Sequence, residues 1–297
     1  MLVAAPPSVL ERVKGYIALT KPRIIELLLV TTLPTMVVAE KGLPSGWLML
    51  ATLVGGTLAA GGANAINMYV DRDIDAIMKR TRHRPLVTGV VSPRNALLFA
   101  IALEVIAFIE LWALVNLLSA VLAVSATLFY VFVYTLWLKR TSSRNIVIGG
   151  AAGAVPVLVG WAAVTGRLDA PAWVLFAIVF CWTPPHFWAL ALRYRDDYAA
   201  AGIPMLPVVR GPHAAAGQIL VYTVIVVGVT LTLFRFEQMG VVYLLAALGL
   251  GVAFVVQALG LRRDVTPARA MRLFGFSNAY LALLFAAIAV DTLLRTS

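Results

Sequence analysis

Apolar residues run along this chain in stretches of about 20, long enough to cross a hydrocarbon layer, and polar residues gather between them. The pattern predicts nine helices, over 24–40, 47–69, 95–113, 115–137, 146–165, 171–192, 216–234, 239–260 and 273–293. No linker or low-complexity tract separates them, so residues 1–297 read as one all-α, polytopic membrane domain around a central cavity that opens near the cytoplasmic face. Two long polar loops, 71–94 and 193–215, follow the second and sixth helices and suggest a weak duplication of a four-helix unit. Function is sought in those loops.

Composition sharpens the class. Of the 297 residues, 61% are hydrophobic and 13% charged, against roughly 45–50% and 25% in soluble proteins. That excess excludes disorder and a soluble nucleotide-binding enzyme, and it makes membrane lipid the surrounding medium. A lone cysteine, Cys181, excludes a disulfide framework and Cys-rich metal sites. His83, His186 and His213 are too scattered for a His-built metal centre. Glu11, Arg12 and Lys14 interrupt any apolar core of a signal peptide near the start. A bacterial inner membrane is the simplest location. All Lys and Arg residues except Lys41, Arg167, Arg235 and Arg295 fall on one side of the nine-helix arrangement, which places that side and the N-terminus in the cytoplasm. The net charge of +10 suits anionic headgroups or an anionic substrate; nothing points to nucleic acid.

The first constellation is Asn64-Ala-Ile-Asn67-Met-Tyr-Val-Asp71-Arg-Asp73-Ile-Asp75. At about 100° per residue, Asn64, Asn67, Asp71 and Asp75 share a stripe about 80° wide, with Asp73 opposite. Stacked carboxylates repel each other, and a hard cation removes the repulsion. An oxygen-only ligand set selects Mg²⁺ or a similar ion, which completes its shell with water and substrate phosphate. Just downstream, Lys79, Arg80, Arg82 and Arg84 offer fixed donors to phosphate oxygens. Acid stripe and basic loop together read as a diphosphate site bridged by metal. A solvated helix end with ordinary basic loop residues is the plainer alternative, but oxygen side chains aligned on an apolar helix are costly without a role.

The second constellation runs from Cys181 to Pro207. Pro184 and Pro185 are expected to break the helix inside the membrane. Beyond the break His186, Arg193 and Asp197 fall on one helical stripe, so Asp197, with Asp196 beside it, is a candidate for a second Mg²⁺, Arg193 for a phosphate contact, and His186 for a deeper group. A hydrogen-bonded structural histidine is an equally good reading of His186. A third cluster, Lys139, Arg140 and Arg144, lies on the same side and serves as topology signal and phosphate contact. Tyr130 and Tyr134 could shield a developing cation, although packing explains them as well. Glu104 and Glu110 lie about 120° apart on one helix and form no joint site. The chemistry that fits is departure of diphosphate from an allylic chain, with metal and arginines stabilising the leaving charge and no nucleophilic side chain required.

At these residues the chain resembles the UbiA-type intramembrane prenyltransferases. Asn67-x-x-x-Asp71-x-x-x-Asp75 is similar to their first motif. The stretches Asp71 to Leu86, Pro184-Pro-His-Phe-Trp188 and Asp196 to Pro207 are similar to the members that act on haem. The resemblance runs from Leu19-Thr-Lys-Pro-Arg23 to the last helix. It implies Mg²⁺-dependent transfer of a farnesyl group from farnesyl diphosphate to a vinyl group of haem B, with addition of water and release of diphosphate. The product would feed a haem A synthase. By the same resemblance Asn67, Asp71, Asp75 and Asp197 become catalytic residues and His186 a haem contact. One departure stands out: the family's second motif is usually Asp-x-x-x-Asp, and here Arg193 precedes Asp197 by four. The nearest rival acceptor is a hydroxybenzoate, naphthoate or chlorin. A secondary transporter, suggested by the expected helix break and duplication, would want its charges near the bilayer midplane, whereas here they gather at one interface.

Overall fold

The computed structural model describes residues 7–236 and 239–296, and among them every regular element is helical. The first six residues, part of the stretch read as no signal peptide, lie outside the described residues. A surface helix, α1 (Val9–Thr20), opens the chain with Ser8 and Glu11 capping each other across its first turn. Then come α2 (Pro22–Glu40), α3 (Gly46–Val70), the short α4 (Arg72–Ile77), α5 (Pro93–Leu114) and α6 (Leu117–Thr141). After these lie α7 (Asn145–Thr165), α8 (Ala170–Arg193), the short α9 (Arg195–Ala200) and α10 (Leu206–Val209), and finally α11 (Pro212–Phe236), α12 (Val241–Arg263) and α13 (Pro267–Thr296).

Among the described residues, eight helices are long and apolar enough to cross a membrane: α3, α5, α6, α7, α8, α11, α12 and α13. Each of the eight overlaps one of the expected segments, with ends shifted by a few positions, and α13 starts six residues earlier than the pattern implied; the segment expected over 24–40 is the helix α2, of 19 residues, which is not among the eight. The chain is a multi-pass membrane protein. Helix starts follow local chemistry: Ser45, Ser92 and Asn116 cap α3, α5 and α6 through their side chains, and Pro22 and Pro93 sit where a missing N–H costs nothing.

Burial sorts the helices. The apolar windows of α7 and α8 are each 61% buried and that of α3 is 50%, against 17% for α5, so α3, α7 and α8 form the inner wall and α5 faces outward. Small residues allow the close approaches: a Cβ at Gly62 would stand 3.0 Å from the Ala100 carbonyl of α5, and one at Gly160 would stand 2.8 Å from that of Thr32 on α2.

One expectation fails. The Pro184–Pro185 pair does not break its helix, because α8 runs unbroken from Ala170 to Arg193 with both prolines inside. The prolines remove two N–H donors, yet Thr183, Pro184, Pro185 and His186 are all buried against neighbouring helices, and the Thr183 hydroxyl donates to the Val179 carbonyl (2.9 Å). The real discontinuity falls lower, at Tyr194, with φ −109° and ψ 28°. Asp197 therefore belongs to α9, and its place is set by that turn and not by the period of α8.

Candidate functional site

The two long polar segments meet at one end of the bundle. Helix α3 ends at Asp71, whose φ of −84° and ψ of 3° offset the following helix, α4. Backbone bonds Asp71 N to Asn67 O (2.9 Å) and Asp75 N to Asp71 O (2.8 Å) carry the four-residue period across this joint. Asn67, Asp71 and Asp75 therefore stay on one face, as their spacing implied, and all three are buried.

A side-chain oxygen of each is held by a cation from another part of the chain. Lys139, at the end of α6, pairs with Asp71 Oδ2. Arg84 donates to Asp75 Oδ2 (2.7 Å). Lys21, at the joint between α1 and α2, donates to Asn67 Oδ1 (2.7 Å). Asn67 Nδ2 in turn donates to Asp71 Oδ2 (2.8 Å) and to Thr135 Oγ1 (3.1 Å). Removing one partner from a buried pair such as Lys139–Asp71 costs about 3–5 kcal/mol, because the other charge is stranded. Burial, together with the nearby charges of Arg84 and Lys139, pushes the Lys21 ammonium down to about 7. Its left-handed φ of 53°, unusual for a residue with a side chain, ends α1 and starts α2 in a single step.

The second segment contributes less charge. Asp197 Oδ2 accepts the backbone N–H of Arg80 (3.1 Å), and the Arg80 guanidinium reaches the Tyr198 hydroxyl (3.3 Å) while standing 5.3 Å from the Tyr194 ring centre. Burial pushes the Tyr198 hydroxyl above its ordinary range. Tyr130 and Tyr134 stack with ring centres 5.4 Å apart. Tyr130 lies in the electrostatic field of Asp71, Asp75 and Arg84, and Tyr134 in that of Asp71 and Arg80. Tyr134 also interacts electrostatically with Tyr198, so the stacked pair stands near both segments.

The remaining expected site residues are spread around this centre. Asn64 is buried one turn deeper, with its amide donating to the Thr20 carbonyl (3.1 Å), so it pins α3 to the α1–α2 joint. Arg140 grips the exposed Asp73 with two bonds of 2.7 Å and stands 3.9 Å from Asp71 Oδ1; this hydrogen bonding holds the Asp73 carboxyl down at about 2. Lys79, Arg144, Arg193 and Asp196 are exposed, with the Arg193 guanidinium 5.5 Å from the Tyr194 ring centre. Sequence reasoning gave no site role to Lys21, Thr135 or Tyr198. Their signals were weak ones: a lysine directly before a helix-starting proline, and polar side chains on otherwise apolar faces.

Does this set suit a divalent ion? Asp71 is fully buried, and its Oδ1 has no hydrogen-bond partner among the described residues. An orphaned carboxylate oxygen facing a cationic surround is costly unless a ligand completes it. Asp71 and Asp75, with Asn67 beside them, fit a hard ion. Among the described residues no three of His, Cys, Asp and Glu cluster as a metal cage.

Deeper along α8, His186 is buried between the rings of Trp182 (4.3 Å) and Phe274 (4.5 Å). Its Nδ1 lies 2.8 Å from Ser277 Oγ, whose own hydroxyl donates to the Phe274 carbonyl (2.7 Å). With that proton spent, Nδ1–H is the donor, and Nε2 keeps its lone pair. A groove of about 390 Å³ opens beside the joint, lined in part by Lys14, Lys21, His83, Arg84 and Met68.

A model of the UbiA prenyltransferase family matches residues 28–286. The chain belongs to that family. A protoheme IX farnesyltransferase of Parafrankia sp. (strain EAN1pec) is 55% identical over 290 residues, covering 96% of this chain and 92% of its own. One of Clavibacter sepedonicus is 53% identical over 292 residues, covering 97% and 95%. Among solved structures, a digeranylgeranylglyceryl phosphate synthase superposes with a TM-score of 0.78 at 17% identity, covering 96% of this chain and 99% of that one. A UbiA homolog from Archaeoglobus fulgidus bound to DMAPP and Mg²⁺ gives 0.67 at 19%, covering 93% and 99%. These structures establish the UbiA fold for the chain.

Proposed function

We propose that this UbiA-family protein transfers the farnesyl group of farnesyl diphosphate to a vinyl group of haem B. The C1–O bond of the farnesyl chain breaks and diphosphate leaves. A carbon–carbon bond forms between farnesyl C1 and the terminal vinyl carbon. Water then adds its oxygen to the inner vinyl carbon and loses a proton, giving the hydroxyethylfarnesyl side chain of haem O. The observation that carries the reading is the buried Asn67–Asp71–Asp75 face ringed by Lys21, Arg84 and Lys139, in a chain over half identical to proteins named for this reaction.

Asp71 and Asp75, with Asn67, would hold Mg²⁺, and Asp197 a second ion. A bound divalent ion supplies Lewis-acid stabilisation of the charge on the departing diphosphate. The chain's own residues do the rest. Arg80, Arg84 and Lys139 are the donors for phosphoryl oxygens, with Lys79, Arg140, Arg144 and Arg193 as outer cations that draw the headgroup in. Stacked Tyr130 and Tyr134 keep water from the allylic cation and present ring faces to it. His186, oriented through Nδ1 by Ser277, offers Nε2 to the haem. The chain works in the bacterial inner membrane with its N-terminus in the cytoplasm, and passes its product to a haem A synthase.

Mass analysis of haem extracted from membranes with and without this protein tests the proposal. A haem heavier by farnesyl plus hydroxyl should appear only with the protein. Unmodified haem alongside a prenylated aromatic acid would overturn the choice of acceptor.

A further inference from the structure

Asn145 opens α7 and is fully buried, yet neither Nδ2 nor Oδ1 has a hydrogen-bond partner among the described residues. A wholly unpaired carboxamide costs a few kcal/mol, so folding alone gives no reason for it. Its neighbours give one. A Cβ at Gly149, one turn along α7 on the same face, would run into the Tyr134 ring, so α7 and α6 touch at the level of Tyr134. The two helices are antiparallel neighbours. One turn from that contact toward the polar end, α6 reaches Leu138 and Lys139 while α7 reaches Asn145. The amide therefore stands about level with Lys139, which pairs with Asp71, and Asp71 Oδ1 and Arg80 Nε are likewise buried without a hydrogen-bond partner among the described residues.

We propose that Asn145 is a binding residue for the diphosphate of the prenyl donor. Nδ2 donates to a phosphoryl oxygen, and Oδ1 accepts from a water carried on the same headgroup. The inference rests on the diphosphate reading of the site, and it extends that site to a neutral residue outside both acidic segments. A diphosphate suits the position because Lys139 and Arg80 at this end of the bundle are cationic donors that want an acceptor-rich partner. A haem carboxylate shares that chemistry, so the test separates the two.

The full-length protein is compared with Asn145→Leu, which keeps the volume and removes the amide, and with Asn145→Ala. Three quantities are read: binding of inorganic pyrophosphate with Mg²⁺ by calorimetry, the melting temperature, and KM for farnesyl diphosphate and for haem. The expected result is pyrophosphate binding weakened at least about tenfold, roughly 1.4 kcal/mol. KM for farnesyl diphosphate should rise in parallel while KM for haem holds, and the melting temperature of the leucine variant should be unchanged or higher, because a stranded polar group has gone. Pyrophosphate affinity within about twofold of the parent in both variants would overturn the proposal, and so would a rise confined to KM for haem. Asn145-dependent pyrophosphate binding by a protein that transfers no prenyl group would support this residue's role and refute the proposed reaction instead.

Discussion

The chain makes the same manoeuvre twice at one end of the bundle. Helix α3 halts at Asp71 and restarts as a six-residue helix carrying Asp73 and Asp75, and α8 halts at Tyr194 and restarts as one carrying Asp196 and Asp197. The outcomes differ. In the first copy the break itself is an aspartate, both inward carboxylates are buried, and cations from two other parts of the chain hold them. In the second copy the break is a tyrosine, Asp196 is exposed, and Asp197 is held by a backbone N–H of the first loop. Strong fields are built where low-dielectric walls preserve them. The second copy is tied to the first through Arg80, whose backbone N–H and guanidinium reach Asp197 and Tyr198.

That asymmetry can be broken by experiment. Asp71→Ala should cut prenyl transfer by about a thousandfold, roughly 4 kcal/mol, while Asp197→Ala should cut it by only about ten- to a hundredfold. Turnover per inserted protein in isolated membranes decides the ranking, and equal losses would make the two segments equivalent.

The lysine at the α1–α2 joint gives a smaller effect with a definite sign. With its ammonium pushed down to about 7, the folded chain gives up a proton that the unfolded chain keeps until about 10.4. Stability therefore rises with pH across that window. In the proposed reaction diphosphate binding runs the other way, because an anion beside Lys21 favours its charged form. KM for farnesyl diphosphate should climb about tenfold from pH 7 to 8.5, and Lys21→Arg, with a permanent charge, should flatten the climb. Overlapping pH profiles for the two proteins would remove Lys21 from binding.

The smallest effect belongs to the outward-facing pair. Asp73 is 62% exposed on its side chain, and exposed ion pairs contribute roughly 0–1 kcal/mol. Asp73→Asn should leave turnover within about threefold and the melting temperature nearly unmoved. A loss as large as that of Asp71→Ala would mean that the Arg140 clamp governs the buried face.

Much of this was legible in the sequence, for identifiable reasons. Long apolar runs specify membrane helices almost independently of tertiary context, and the Asn67–Asp71–Asp75 face survived because four-residue hydrogen bonds continue through the joint. The partners of that face were not legible. Lys21 meets Asn67 across 46 positions and Lys139 meets Asp71 across 68, and no local period encodes such pairings. The proline pair misled for a related reason. A double proline predicts a break in an isolated helix, but in a buried one the packing of neighbouring helices holds the turn together.

The last stretch of α6 has a consequence of its own. From Phe129 to Leu138 the backbone is wound as a π-helix, and the Thr135 hydroxyl bonds the carbonyl five residues back, at Tyr130 (2.8 Å). Such wide turns hold extra chain without lengthening the rod in proportion. Rewinding this stretch as an ordinary α-helix with the same residues would rotate everything beyond it about the helix axis, carrying the ammonium of Lys139 off the carboxylate it neutralises. This rod acts as a gauge, and its winding is as much a part of the chemistry as any charged group.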